Sequence, residues 1–211
     1  MTIRVIIADD HAVVRKGMRL IAGDQPGILM CGEAGDYGEL MHLLRKEECD
    51  VLLLDIGMPG KNGIDILKLV RESFPKMGVL ILSMYPEDQY ALRALKAGAA
   101  GYLTKDSAPD QLVEAIQTVA RGRRYITANV AEMLATHIAD DHDLQPHELL
   151  SDREFQTMRL IASGQQLSQI AEALSLSPKT VSVYRARLLE KMGLKNNAEI
   201  THYAIKNGLI E

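Results

Sequence analysis

The first half of the chain alternates short apolar runs with amphipathic stretches of helical length. IRVIIAD, ILMCGEA, VLLLD, GVLILS and GYLT, at 3–9, 28–34, 51–55, 78–83 and 101–104, read as strands. Five strand-then-helix units predict a parallel sheet with helices on both faces. Parallel strands need crossover connections, and near-continuous apolar strands are buried on both sides. Pro109 opens the last of these helices, which ends near Arg121.

Beyond that helix the pattern changes. Residues 122–145 mix GRRY, a short helical stretch at 130–138 and the acidic run ADDHD, and read as linker, with His142 and His147 solvated. From Leu150 the period is helical and the segments shorten: one helix near 153–163, a turn at Gly164, another helix near 168–174. Ser177 then caps a third helix with Pro178 at its first position, Gly193 ends it, and 198–206 supplies a fourth. The predicted organisation is an α/β domain over 1–121, a linker over 122–148 and an all-α domain over 149–211, with no internal repeat.

Composition narrows the class. With 47% hydrophobic and 25% charged residues among 211, the chain is globular rather than disordered, collagen-like or a disulfide scaffold. No apolar run approaches the roughly 18 residues of a membrane span, and two carboxylates interrupt the opening MTIRVIIADD where a signal peptide would stay apolar. A cytoplasmic protein is expected. Cys31 and Cys49 sit in apolar settings with no zinc or redox spacing and read as two buried thiols. None of the six histidines forms a metal pair by helical spacing. The net charge of -4 divides unevenly, -6 over 1–148 and +2 over 149–211, so the halves are expected to meet different partners.

The acidic half carries a constellation. Asp9 and Asp10 close the first strand and Asp55 closes the third. Ligands bind at the carboxyl ends of strands in a doubly wound sheet, and with strand order 2-1-3-4-5 the first and third strands are neighbours, so the three carboxylates converge. Such a cluster needs a cation, and Mg²⁺ is the natural oxygen-seeking partner. Ser83 ends the fourth strand and Lys105 follows the fifth. A carboxylate nucleophile, a divalent cation, an ammonium and a hydroxyl are what an aspartyl-phosphate requires. Any one of these residues alone would be an ordinary cap or turn residue, as would Gly57, Pro59 and Gly63.

At IIADDH, LLLDIGMPGKNG, ILSM and KAGAAGYLTKD, residues 1–121 resemble the receiver domain of bacterial two-component response regulators. The resemblance implies that Asp55 accepts a phosphoryl group, that Asp10, Asp55 and the Gly57 carbonyl ligate Mg²⁺, and that Asp9 reaches it through water. It also implies that Ser83 and Tyr102 form a switch pair and that Lys105 contacts the phosphoryl group. Tyr102 reads equally well as a half-buried strand aromatic with its hydroxyl in water. Many receivers place proline after this lysine in a cis bond. Asp106 stands here, and a cis bond before it would cost about 3–4 kcal/mol, so its isomer stays open.

On the helix from Pro178 to Met192, Val181, Leu188 and Met192 share one face that reads as core. Lys179, Ser182, Val183 and Ala186 lie opposite, and the segment carries a net charge of +3. With the preceding helix and turn this makes a helix-turn-helix, whose second helix enters a major groove. Arg187 or Lys191 alone would read as a solvated face. The text from LSDREF to NNAEI resembles the LuxR-type DNA-binding domain. By that resemblance Ser182, Val183 and Ala186 face bases, while Lys179, Thr180, Tyr184 and Lys191 approach phosphates. Many relatives carry Lys or Asn where Ser182 and Ala186 stand, which leaves more of the recognition to DNA shape.

The whole chain thus resembles the NarL/FixJ response regulators. The resemblance implies a transcription factor rather than an enzyme, phosphorylated by a sensor histidine kinase, binding double-stranded DNA as a phosphorylation-promoted homodimer. The final helix, near 198–205, is a candidate dimer contact or internal packing. Two other readings remain: a phosphatase of the haloacid dehalogenase type, which needs an acid where Gly57 stands, and a regulator that binds DNA constitutively.

Overall fold

The computed structural model describes residues 2–58, 61–139 and 145–210 and divides into two compact units, Met1–Asp140 and Asp141–Glu211. Pro59 and His142 lie outside the described residues.

In the first unit, β1 (Ile3–Ala8), β2 (Ile28–Ala34), β3 (Val51–Asp55), β4 (Gly78–Ser83) and β5 (Gly101–Thr104) alternate with α1 (Ala12–Gly23), α2 (Tyr37–Lys46), α3 (Gly63–Ser73), α4 (Glu87–Lys96) and α5 (Pro109–Ala120). The sheet is wholly parallel, in the order β2-β1-β3-β4-β5. β1 stops one residue short of expectation, yet the Asp9 N–H still bonds the Ala34 carbonyl at 3.0 Å.

The reason for the apolar runs is now concrete. Val5, Ile7, Val51, Leu53, Leu80 and Leu82 pack against Met18 and Ala22 of α1 and Leu112, Ile116 and Val119 of α5. Alternation along the strands sends Ile6, Leu52, Leu54 and Ile81 to the other face, and all four are buried. Each such side chain contributes about 1.5–3 kcal/mol, so the register cannot slip without exposing a whole face. Polar residues are thereby confined to the strand ends. One approach there is very close. A Cβ on Gly63, where α3 begins, would collide with the Asp55 carbonyl oxygen and the Ile56 Cα. The buried Asn62 caps α3 by accepting from the Ile64 N–H at 2.8 Å.

Within the stretch expected as linker, α6 (Ala128–Ala139) belongs to the first unit and packs against α4. Tyr125 forms a single parallel bridge to Gly101 at the start of β5, and its N–H bonds the Ala100 carbonyl at 2.8 Å. The thiols are half-buried rather than buried. Cys49 donates to the Val51 carbonyl at 3.1 Å, and burial pushes its thiol up to about 12.

In the second unit, a single 3-10 turn at Pro146–Leu149 precedes α7 (Asp152–Ala162), α8 (Leu167–Ala173), α9 (Pro178–Met192) and α10 (Asn197–Lys206). The turn is too short to leave a periodic signal. Its His147, expected in solvent, instead stands 2.9 Å from the Tyr203 hydroxyl. Phe155, Met158, Ile170, Val181, Leu188 and Ile200 form the core. Ser177 caps α9 through the Thr180 N–H at 3.1 Å, and Gly193 ends it in the left-handed region at φ 67.

Gly63→Ala is expected to lower the stability of the first unit by about 1–3 kcal/mol, because the added methyl must push α3 off the β3 end. The urea midpoint of the transition measures it; an unchanged midpoint would show that the approach relaxes freely.

Candidate functional site

The charged receiver-type candidates and Ser83 lie on the carboxyl-end rim of the sheet, while Tyr102 sits second in β5. Asp9 follows β1, Asp55 ends β3, Ser83 ends β4 and Lys105 follows β5. Ligand atoms of Asp9, Asp10, His11 and Asp55 all fall within 4.8 Å of one another. The Lys105 ammonium lies between two of the carboxylates, with Nζ 2.7 Å from Asp9 Oδ2 and 2.9 Å from Asp55 Oδ2. The side chains of Asp9, Asp55 and Lys105 are 0%, 3% and 4% exposed, so the groups face each other in a medium that screens poorly.

Burial pushes the Asp55 carboxyl above its ordinary value, opposed by Lys105 and the Gly57 N–H and reinforced by Asp9. For Lys105, burial works to lower the value, but Asp55 and Asp9 together hold it raised. The cluster therefore gathers three carboxyl groups around one ammonium. That donor set of hard oxygens, gathered and undercompensated, suits a small divalent cation.

Two residues that sequence reasoning missed shape this rim. The His11 N–H donates to Asp9 Oδ1 at 2.8 Å, and its Nδ1 lies 2.8 Å from Asp10 Oδ1. Arg15 Nη1 donates to the Asp9 carbonyl at 2.6 Å and holds the strand end from α1. The one signal for His11 was its place directly after the acid pair. At Gly57, a Cβ would stand 3.1 Å from Asp55 Oδ2, so glycine spares that oxygen a tight side-chain contact.

Ser83 is buried and its Oγ accepts from the Tyr85 N–H at 3.0 Å. Tyr102 is 2% exposed, and its hydroxyl donates to the Tyr85 carbonyl at 2.7 Å. The reading with that hydroxyl in water is corrected, because β5 and the loop after β4 enclose it. Both residues thus grip the same loop residue. No peptide bond among the described residues is cis, so Lys105–Asp106 is trans.

In the second unit, α9 presents Lys179, Ser182, Val183, Ala186 and Arg187 to solvent, with Val183 43% exposed, while Thr180 and Tyr184 are half-buried. Several polar groups on this helix are already engaged. Ser182 Oγ donates to the Pro178 carbonyl at 2.9 Å, and the Thr180 hydroxyl lies 2.8 Å from that of Ser177. Arg185 Nε donates to Asn197 Oδ1 at 2.6 Å. Lys191, expected near phosphate, is paired with Glu154 Oε2 at 2.7 Å, where it ties α9 to the start of α7. The turn from α8 to α9 puts Ser175 in the left-handed region at φ 53.

Comparison with known proteins agrees with this division. The family model for the response regulator receiver domain matches residues 5–117, and that for bacterial regulatory proteins of the luxR family matches 148–204. The response regulator UvrY of Escherichia coli is 38% identical over 208 residues, covering 98% of this chain and 95% of its own. The response regulator GacA of Pseudomonas aeruginosa is 35% identical over 211 residues, covering 99% and 98%. Among solved structures, the RcsB response regulator of Salmonella typhimurium aligns with a TM-score of 0.69 at 28% identity, over 96% of each chain. RcsB bound to promoter rprA in the presence of the phosphomimetic BeF3- aligns with a TM-score of 0.67 at 27% identity, over 96% and 98%.

Glu154 generates a pH prediction. Burial opposes its ionisation, but Lys191 and the Ser151 N–H and hydroxyl win, and the carboxyl is held below its ordinary value. A depressed folded value means the stabilisation is complete above the unfolded value of about 4.3 and disappears as pH falls through the folded one. Glu154→Gln is expected to cost about 1–2 kcal/mol at neutral pH and to flatten the acid-side loss of stability. Urea midpoints against pH decide it, and a wild-type slope in the variant would deny the pair any role.

Proposed function

The chain belongs to the response regulators that join a receiver domain to a LuxR-type DNA-binding domain, and on that premise we propose that phosphorylation of Asp55 switches its binding to DNA. The observation that carries the reading is the convergence of Asp9, Asp10, Asp55 and Lys105 on one rim of a chain that also bears the exposed basic face of α9. We take the receiver as 1–121 and the DNA-binding domain as 149–211, joined by a linker whose helix α6 rests on α4.

In this reading a sensor histidine kinase presents a phosphohistidine. An Asp55 carboxylate oxygen forms a bond to phosphorus, the phosphorus–nitrogen bond breaks, and the freed imidazole leaves with the electron pair and takes up a proton. Lys105, already between Asp9 and Asp55, has only to swing an ammonium hydrogen onto a phosphoryl oxygen. The Ser83 oxygen is used by Tyr85 as an acceptor, which leaves its own hydrogen to donate to the phosphoryl group. Recruiting Ser83 disturbs the loop that Tyr102 also holds. Asp9, Asp10 and Asp55 fit Mg²⁺, with Gly57 as the family's carbonyl ligand; when bound, the ion supplies charge neutralisation at the phosphoryl oxygens. The protein accepts one phosphoryl group and acts as a regulator, not a turnover catalyst.

On the DNA side, Lys179, Thr180, Tyr184 and Lys191 are assigned to phosphates and Ser182, Val183 and Ala186 to base edges. The slender side chains of that second set favour thymine methyl contacts and shape readout. On α10, Ile200 and Ala204 are committed to the core, but Ile205 is 58% exposed and is available for a second copy. No helix among the described residues is long and apolar enough to cross a membrane, and a partner of chromosomal DNA works in the cytoplasm.

Three outcomes are expected. Acetyl phosphate with Mg²⁺ adds the mass of one phosphoryl group to the wild type and none to Asp55→Asn; a gain persisting in the variant places the acceptor elsewhere. Mg²⁺ at 100 times its Kd raises stability by about 2.7 kcal/mol in the wild type and by much less in Asp10→Asn. Lys179→Ala weakens operator and random duplex alike and reduces the salt slope by about 0.9, and unchanged binding to both would remove Lys179 from the interface.

A further inference from the structure

The loop that follows Ser83 leads directly into a second contact that the phosphorylation chemistry does not use. Glu87 opens α4, in the first turn where the helix dipole favours a carboxylate. Both of its oxygens accept from the Thr127 hydroxyl at 2.9 Å, and Oε2 also accepts from Asn129 Nδ2 at 3.0 Å. Thr127 is the residue before α6, and its hydroxyl oxygen caps that helix by accepting from the Val130 N–H at 3.3 Å. Val130 is buried beneath. One carboxylate on α4 therefore holds the entry of α6, the last helix of the first unit before the chain passes to the second.

We propose that Glu87 is a latch through which the state of the acidic rim is passed to α6, and that phosphorylation opens it. The proposal rests on the function assigned to Asp55 above. Only three residues separate Ser83 from Glu87, and Pro86 among them has a fixed φ that limits slack. Ser83 and Tyr102 together fix Tyr85, whose ring stacks on Tyr90 of α4 with centroids 5.0 Å apart. A pull on Ser83 is therefore delivered to the head of α4 rather than absorbed in the loop.

Room for that motion exists: a cavity of about 590 Å³ lies between the loops after β4 and β5, lined by Pro86, Glu87, Thr104, Ser107, Gln111 and Asn129. Hydrogen bonds are short-range, so a displacement of about 1 Å takes a 2.9 Å contact out of bonding range. Loss of the Glu87 contacts leaves Thr127 to cap α6 alone and loosens its first turns on α4.

The test is hydrogen exchange over 128–136 in the full chain, with and without acetyl phosphate and Mg²⁺, with intact mass read in parallel. The wild type is expected to lose protection there about tenfold on phosphorylation, the loss of one charge-assisted contact. Glu87→Ala is expected to start at the loosened level and not respond, while Asp55 still gains its phosphoryl mass. Thr127→Val approaches the same contact from the other side and guards against a folding defect in the first variant. A wild-type response in both variants overturns the latch, as does a phosphorylated wild type whose α6 exchange is unmoved. A wild type that gains no mass overturns the reading of Asp55 itself, and the latch with it.

Discussion

Like charges crowded into a dry rim are the constraint around which the first unit is arranged. Asp9 and Asp55 are buried at adjoining strand ends because the sheet interior accepts only apolar side chains and the next residues outward must be polar. Two buried carboxylates at this spacing would repel one another strongly, and the Lys105 ammonium, itself buried, is what makes the arrangement tolerable. The balance is incomplete: burial disfavours ionisation of Asp55 even beside Lys105, while the missing side chain at Gly57 spares its Oδ2 a crowding Cβ.

The neighbouring loop converts that local charge balance into geometry. Ser83 and Tyr102 meet at Tyr85 from two adjacent strands, one through its hydroxyl oxygen and the other through its hydroxyl hydrogen. The loop is also tied to α4, because the Tyr85 ring stacks on Tyr90. The second unit uses the same economy of polar contacts. Glu154 closes a capping box with Ser151 and also pairs with Lys191, so one buried carboxylate both starts α7 and anchors the far end of α9.

What could be read from the sequence follows from the range of the forces involved. The strands were legible because burial on both faces leaves unbroken apolar runs, and Asp55, Ser83 and Lys105 were legible because a polar residue ending such a run has one place to go. Ser177, Pro178 and Gly193 marked α9 because capping acts within one turn. The long-range pairs were hidden: Lys191 with Glu154 spans 37 residues and Thr127 with Glu87 spans 40, and neither member is distinctive by itself. The Arg15 contact to the Asp9 carbonyl was equally hidden, since a backbone acceptor leaves no trace in side-chain identity. The solvated setting expected for His147 failed for the same reason, its partner Tyr203 being 56 residues away.

The bridge between Tyr125 and Gly101 has a bearing on the edge of the sheet. β5 is an outer strand, and an outer strand offers unpaired amide and carbonyl groups to any passing chain. By laying Tyr125 along its first residue, the polypeptide blunts that margin with its own backbone. A fragment ending at Arg121 would keep all five strands and forfeit the cover, so self-association of such a fragment would report a bared margin rather than a physiological pairing surface.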